Sequence, residues 1–204
     1  LWVHECESVF ADRFISEEDH TWFRTVLDTE LRSNFNTSFS QLCSNRGEGL
    51  SDVFVFGDYV DSSAYPRKYQ EVTSLPALKT CMNEFIEEYN AQSQQPMHLV
   101  MFRQAIRYVS SISRILRQPK GNALLIGVGG SGRQSLTRLA AFMADYDTFQ
   151  IEITKKYGQQ EWRDDVKKVL MMVGLENKPV VFLYVHIICI YMHVSPLGPD
   201  DGWP

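Results

Sequence analysis

The sequence contains few of the residues that would indicate a disulfide-stabilised, zinc-binding or membrane protein. Its four cysteines are scattered over 204 residues, with no C-x-x-C pair. We therefore expect reduced thiols in an intracellular protein, without a disulfide or zinc framework. The apolar run 180–194 includes two histidines and is too short and too polar for a membrane span, so no membrane partner is expected. The chain starts at Leu1, with no initiator methionine and no signal peptide, as expected of a piece of a longer protein.

Acidic residues are also missing from a long internal stretch. The net charge is −5, yet no Asp or Glu occurs between Glu88 and Asp145. Seven bases lie in that interval: Arg103, Arg107, Arg114, Arg117, Lys120, Arg133 and Arg138. Such a stretch suits a polyanionic ligand, and a solvated basic helix face is the alternative interpretation. Tyr108 is the single aromatic residue between the first and the last of these arginines, so no nucleic-acid partner is expected.

The first half of the chain is predicted to be mainly helical. Apolar residues recur at helical spacing from Val3 to Phe14, which predicts one amphipathic helix, and Ser16 is a candidate N-cap for the next helix. Residues 34–96 form a more polar connector that contains a helix over 74–90, with Ser74 as its N-cap. A long amphipathic helix is predicted for residues 97–118. Its apolar side comprises Phe102, Ala105, Ile106, Val109, Ile112 and Leu116.

The second half alternates strands with helices. Strands are predicted at 123–127, 149–153 and 180–185, and helices at 135–144 and 159–173. This order is an α/β βαβαβ unit with a parallel sheet, preceded by a helical subdomain.

A glycine-rich loop lies at the first strand-to-helix turn of this unit. The stretch "GVGGSGRQSL" keeps both glycines of the phosphate-loop pattern G-x-x-x-x-G-K-[ST], but has Arg133 at the lysine position and Gln134 at the hydroxyl position. Its backbone amides are predicted to form an anion cradle, because glycine permits the required dihedrals. The candidate binding residues are Gly127, Val128, Gly129, Gly130, Ser131, Gly132, Arg133, Gln134 and Ser135.

The residues for hydrolysis are less complete. The Gln134 amide is a poorer Mg²⁺ ligand than a hydroxyl. Ser135 has a hydroxyl but cannot replace it, because a residue one step further along the helix points about 100° away. No acid follows the strand 180–185 until Asp200. We therefore expect no Mg²⁺ site, no catalytic residue and no ATPase activity of this chain alone.

Four stretches together resemble the dynein heavy chains, and more closely the axonemal ones. They are "LWVHECESVFADRF", "VFGDY", "MHLVMFRQAIRYVSSISRILRQPKGNALLIGVGGSGRQSLTRLAAFMADY" and "FQIEITKKYGQQEWRDDVKKVL". The resemblance implies a P-loop NTPase fold of AAA+ type. Residues 1–33 would end the third AAA+ module, 34–96 would be the connector, and 97–185 would be part of the fourth module with its P-loop.

The resemblance also implies a function. The parent would be an ATP-driven, minus-end-directed microtubule motor of a ciliary or flagellar axoneme, working with other AAA+ modules and dynein subunits. This chain would be a regulatory half-module that binds ATP or ADP and reaches microtubules through the parent only. The alternative is a structural or regulatory interaction module that binds no nucleotide. A stand-alone P-loop kinase or NTPase is disfavoured, because the chain ends before a complete sheet.

One stretch departs from the family. His186 stands where the resemblance implies the Mg²⁺-coordinating aspartate, and residues 186–204 do not resemble the family. We interpret 186–204 as an aberrant tail.

Overall fold

The computed structural model describes residues 1–44, 54–60, 66–185 and 189–194. The chain divides into two compact units, Leu1–Met82 and Asn83–Pro204. Helix α4, Leu75–Gln92, runs across this division.

The first unit is built from helices and one short hairpin. Its elements in chain order are α1 (Trp2–Cys6), a π-helical turn (Glu7–Ala11), α2 (Glu17–Phe35), α3 (Phe39–Ser44), β1 (Phe56–Gly57) and β2 (Gln70–Glu71). The N-terminal helix therefore ends before Phe14, and Val9 and Phe10 are exposed, so the prediction of one amphipathic helix through Phe14 was too long. Ser16 is confirmed as an N-cap, because its hydroxyl accepts the amide hydrogens of Glu18 and Asp19.

The core of the first unit joins its helices to the hairpin. It comprises Val3, Leu27, Leu31, Phe54 and Phe56. The connector thus contributes Phe54 and Phe56 to a packed core. Antiparallel β1 and β2 pair Phe56 with Glu71 and Gly57 with Gln70.

Helix α4 begins where the sequence predicts. The Ser74 hydroxyl accepts the Ala77 amide hydrogen at 3.4 Å. Leu78, Met82 and Ile86 are buried at helical spacing.

Helix α5, Arg103–Arg117, begins six residues later than predicted. The Asn90 side chain explains the difference: its amide donates to the Met97 carbonyl at 3.0 Å and accepts the Met97 amide hydrogen at 2.7 Å. Residues 97–102 are consequently non-helical. Phe102 is the N-cap residue and is exposed, contrary to its predicted place on the apolar side. The other five predicted positions, from Ala105 to Leu116, are buried.

The second unit contains an α/β sheet. Its remaining elements are β3 (Asn122–Leu125), α6 (Arg133–Met143), β4 (Asp147–Gln150), α7 (Gln159–Gly174), β5 (Val180–Val185) and β6 (Cys189–Val194). The alternating order confirms the predicted mixed α/β class. Strand β4 begins two residues earlier than predicted and ends at Gln150.

The strand order corrects one expectation about the sheet. The order is β3-β6-β5-β4, and only β4 and β5 are parallel. Strand β6 lies antiparallel to both β3 and β5, so the sheet is mixed. The sequence predicted no strand within 186–204; residues 186–188, including His186, and 195–204 lie outside the described residues.

Strand β5 packs one of its faces against helix α7. Val180 and Phe182 pack with Val169 and Val173 of α7. Because alternate side chains of a strand point to opposite faces, Val181 and Leu183 face the other way, and both are fully buried. Helix α6 also contacts β4 and β5. None of the helices that the structure describes is long and apolar enough to cross a membrane.

Candidate functional site

The glycine loop connects strand β3 to helix α6. Residues 126–132 leave the strand at its carboxyl end, and α6 begins at Arg133. Packing against the core holds helix α6 in place. All four positions predicted to face the core are at most 4% exposed: Leu136, Leu139, Ala140 and Met143. The loop is therefore presented by a helix whose orientation is set by core packing.

Two glycines carry the backbone conformation of this loop. Gly130 and Gly132 have φ values of 78° and 76°, in the left-handed region that other residues rarely adopt. Apart from chain neighbours, no heavy atom lies within 4 Å of the position that a Cβ would take at Gly129 or Gly130. An external group can therefore approach the backbone closely at these two residues.

The N-terminus of α6 has no side chain that caps its first backbone amides. Its N-cap is Gly132, which makes no side-chain hydrogen bond, and its first turn holds no acid. The first amides of a helix have no intrahelical acceptors and carry partial positive charge. This end of α6 therefore favours an anion on electrostatic grounds.

Arg133 folds back over the loop. Its Nη1 donates to the Leu125 carbonyl and its Nη2 to the Val128 carbonyl, each at 3.2 Å. A Cβ at Gly127 would lie 3.5 Å from the Arg133 Cδ and 3.3 Å from the Ser131 hydroxyl oxygen. The arginine side chain thus lies directly against the first glycine of the loop.

The polar side chains at the start of α6 differ in their hydrogen bonding. Gln134 and Ser135 are half-buried at the start of α6. The Thr137 hydroxyl donates to the Arg133 carbonyl at 2.8 Å. Within the described residues, no group of three His, Cys, Asp or Glu side chains could hold a metal ion. The backbone amides, the Gln134 amide and the Ser135 hydroxyl at the start of α6 are groups that can donate hydrogen bonds to a phosphate.

The bases of the acid-free stretch differ in exposure. Arg103, Arg107 and Arg117 of α5 are exposed, as is Lys120. Arg138 is half-buried and donates to the Gln150 side chain at the end of β4.

All nine sequence-predicted residues, 127–135, lie in one contiguous loop and helix start. Sequence reasoning missed three contributors. Leu99 lies 3.9 Å from the position of a Cβ at Gly132, and the carbonyls of Leu125 and Val128 accept from Arg133. No sequence signal marks a backbone acceptor, because every residue has one.

Comparison with known proteins gives consistent matches. The family model "P-loop containing dynein motor region D4" matches residues 97–190, a range that includes the loop and α6. The human "Dynein axonemal heavy chain 2" is 44% identical over 186 residues, which is 91% of this chain and 4% of that protein. The mouse "Dynein axonemal heavy chain 1" is 43% identical over 184 residues, 90% of this chain and 4% of the relative.

A flagellar heavy chain also matches. The Chlamydomonas reinhardtii "Dynein-1-beta heavy chain, flagellar inner arm I1 complex" is 42% identical over 192 residues, 94% of this chain and 4% of the relative. The chain thus spans about a twenty-fifth of the length of these relatives. Together, the D4 match, the shared identity along most of the chain and the P-loop α/β unit show that the chain belongs to the axonemal dynein heavy chain family.

Proposed function

We propose that this chain is a regulatory nucleotide-binding segment of an ATP-driven, minus-end-directed microtubule motor. Its loop, Gly127–Ser135, binds the phosphates of ADP or ATP. The motor acts in a ciliary or flagellar axoneme, together with other AAA+ modules and dynein subunits. It contacts microtubules through parts of the heavy chain outside this segment.

One observation carries the proposal for the loop. An uncapped, acid-free helix start follows a glycine loop in which Gly130 and Gly132 hold left-handed conformations. The amides of such a turn converge on one anion. The match to the dynein motor region D4 family, over residues 97–190, includes this loop and supports the assignment.

The roles of the individual residues follow from their positions. Gly129 and Gly130 allow a phosphate to approach the backbone, and the start of α6 supplies amide donors and a favourable dipole. The β3 strand and the buried face of α6 hold this arrangement in place. A bound nucleotide would supply the negative charge that the uncapped helix start lacks.

We infer that the chain binds nucleotide without hydrolysing it. Gln134 replaces the metal-binding hydroxyl, and the described residues supply no carboxylate cluster for Mg²⁺. Hydrolysis in P-loop enzymes requires the metal ion to neutralise charge on the transferred phosphoryl group. Regulation through nucleotide occupancy needs binding only.

A specific contact favours a second candidate function, a structural module that binds no nucleotide. Arg133 is already hydrogen-bonded to the carbonyl of Leu125 at the end of β3 and to that of Val128 in the loop, so the chain's own atoms hold the shape of the loop. In this alternative the loop only packs against neighbouring parts of the heavy chain.

Equilibrium titration of the 204-residue chain separates the two functions. Fluorescent ADP is added with EDTA or with Mg²⁺, and adenosine serves as the ligand control because it lacks phosphates. We expect micromolar ADP binding that does not require Mg²⁺, no adenosine binding, and no phosphate release from ATP. Absence of ADP binding at millimolar concentration would establish the structural module instead.

A further inference from the structure

The Val128 carbonyl oxygen accepts two hydrogen bonds from within the loop. The Ser131 amide hydrogen reaches it over 3.3 Å, and Arg133 Nη2 reaches it over 3.2 Å. Both donors belong to the nine residues assigned to phosphate binding. A carbonyl oxygen has two lone pairs, so this acceptor can satisfy both donors at once.

The second half of the guanidinium strengthens the same arrangement. Arg133 Nη1 donates to Leu125, the last residue of β3, and so ties the helix start to the strand end. The planar fork presents its donors in a fixed geometry, so a single side chain bridges two carbonyls three residues apart. A lysine ammonium is a point charge on a flexible stem and lacks this rigid bridge.

We propose that Arg133 is an intramolecular latch on the loop. In the closed state, the Val128 carbonyl oxygen accepts from Arg133 and from the Ser131 amide, and so engages an amide that could otherwise donate to a phosphate oxygen. Phosphate binds after the guanidinium has left the two carbonyls and the Ser131 amide has turned outward. The ligand part of this inference rests on the proposed nucleotide binding, whereas the closed state itself does not.

The closed Arg133 side chain packs against the glycine at position 127. The Arg133 stem reaches the carbonyls by passing over this residue, where a Cβ would lie 3.5 Å from Cδ and 3.6 Å from Nε. The same Cβ would lie 3.3 Å from the Ser131 hydroxyl oxygen, which is closer than most such contacts. A Cβ at 127 would therefore touch the closed Arg133 side chain at van der Waals distance and would crowd the Ser131 hydroxyl.

The latch predicts that Arg133 holds the empty loop and does not act as a phosphate ligand. Hydrogen–deuterium exchange of the ligand-free chain tests the first part, with Arg133→Met to remove the fork and Arg133→Lys to keep the charge without the bridge. Arg107→Met, an exposed arginine on α5, is the matched control for loss of one positive charge. We expect the peptide that covers 126–133 to exchange several-fold faster in both Arg133 variants, with α7 peptides unchanged. Equal loop exchange in all four proteins would overturn the latch.

Fluorescent ADP titration of the same proteins tests the second part. Arg133→Met should bind as tightly as the parent chain or up to tenfold more tightly, because opening no longer opposes binding. A tenfold loss of affinity in Arg133→Met, with Arg107→Met unchanged, would identify Arg133 as a direct phosphate ligand and refute the latch. If neither the parent nor any variant binds ADP, the proposed function fails, while the exchange result still decides whether the closed state exists.

Discussion

Two helices of the second unit follow a glycine, but only one of them has a side chain that caps its N-terminus. Helix α7 follows Gly158, whose amide donates to the Glu161 carboxylate at 2.9 Å. Helix α6 follows Gly132, with no side-chain cap and no acid in its first turn. Glu161 is the third residue of α7, and Ser135 holds the equivalent third position of α6. Helix α7 therefore carries a carboxylate at its own N-terminus, whereas the N-terminus of α6 has none and leaves that place open for an anion.

The two helices also differ in how firmly they are packed. Helix α6 buries Leu139 and Ala140 completely. Helix α7 buries Val169 and Val173 but leaves Leu170 and Met171 more than half exposed. The helix that presents the candidate site is thus the one with the more completely buried inner face.

Truncation of the α6 core should give the largest stability effect. Leu139→Ala removes a side chain with 0% exposure, and such substitutions cost about 2–5 kcal/mol. Leu170→Ala on α7, where the side chain is 59% exposed, should cost under about 0.5 kcal/mol. Urea unfolding of both variants measures this difference. Equal losses would show that α6 is not the better anchored helix.

The two N-cap glycines should respond differently to alanine. Gly132 has φ +76°, so Gly132→Ala places a Cβ in a left-handed conformation at about 1–2 kcal/mol and should also weaken ADP binding. Gly158 has φ −125°, which alanine tolerates, and its Cβ would lie 3.3 Å from the flexible end of Glu161 and 4.0 Å from the Lys156 carbonyl oxygen. Gly158→Ala should therefore cost less than about 0.5 kcal/mol. Thermal unfolding together with ADP titration of the pair checks both expectations, and a Gly158→Ala that loses more than Gly132→Ala would refute them.

Removal of the internal anion of α7 should have a smaller effect. Glu161→Ser deletes the acceptor of the Gly158 amide and one favourable charge near the helix dipole, at about 0.5–1 kcal/mol. Glu152→Ser removes an exposed acid outside any helix and is the control. Urea midpoints should fall for Glu161→Ser only. A neutral Glu161→Ser would mean that the two helix starts do not differ energetically.

Tyr157, the residue before Gly158, should give the smallest effect, seen only at high pH. Burial and its hydrogen bond to the Asp165 carboxylate, 2.9 Å long, raise the pKa of Tyr157 from 10 to about 12. Because folding raises this pKa, the protonated form of Tyr157 stabilises the folded state. This stabilisation is complete below pH 10 and is lost as the pH rises from 10 toward 12. The Tm of the parent chain should therefore fall more steeply over this range than that of Tyr157→Phe.

Tyr108→Phe, which changes an exposed tyrosine on α5, is the control for this pH dependence. Its Tm should follow the parent chain from pH 10 to 12. If Tyr157→Phe follows the parent as well, the Asp165 carboxylate does not bind Tyr157 tightly enough to matter.

Much of the α6 region could be predicted from the sequence because its signals are local. Helical spacing identified the four buried positions from Leu136 to Met143, and the glycine pattern identified the loop. The assignment of phosphate binding to residues 127–135 remains a prediction.

Other features could not be predicted because they depend on contacts between distant residues. The late start of α5 follows from an Asn90 side chain that bonds the Met97 backbone. Strand β6 pairs Ile190 with Leu124, far away in the sequence, and no composition rule encodes that register. The bridge from Arg133 to Leu125 and Val128 likewise uses backbone carbonyls, which carry no residue-specific signal.

Ser135→Glu tests most directly whether the open start of α6 is an anion site. This change gives α6 a carboxylate at the position that Glu161 holds in α7, so the helix would supply its own anion. Gln159→Glu adds the same charge to the first turn of α7 and is the matched control. We expect fluorescent ADP to bind Ser135→Glu at least tenfold more weakly than the parent chain, with Gln159→Glu unchanged, because like charges repel at short range. Equal ADP affinity in the parent chain and Ser135→Glu would contradict phosphate binding at the start of α6.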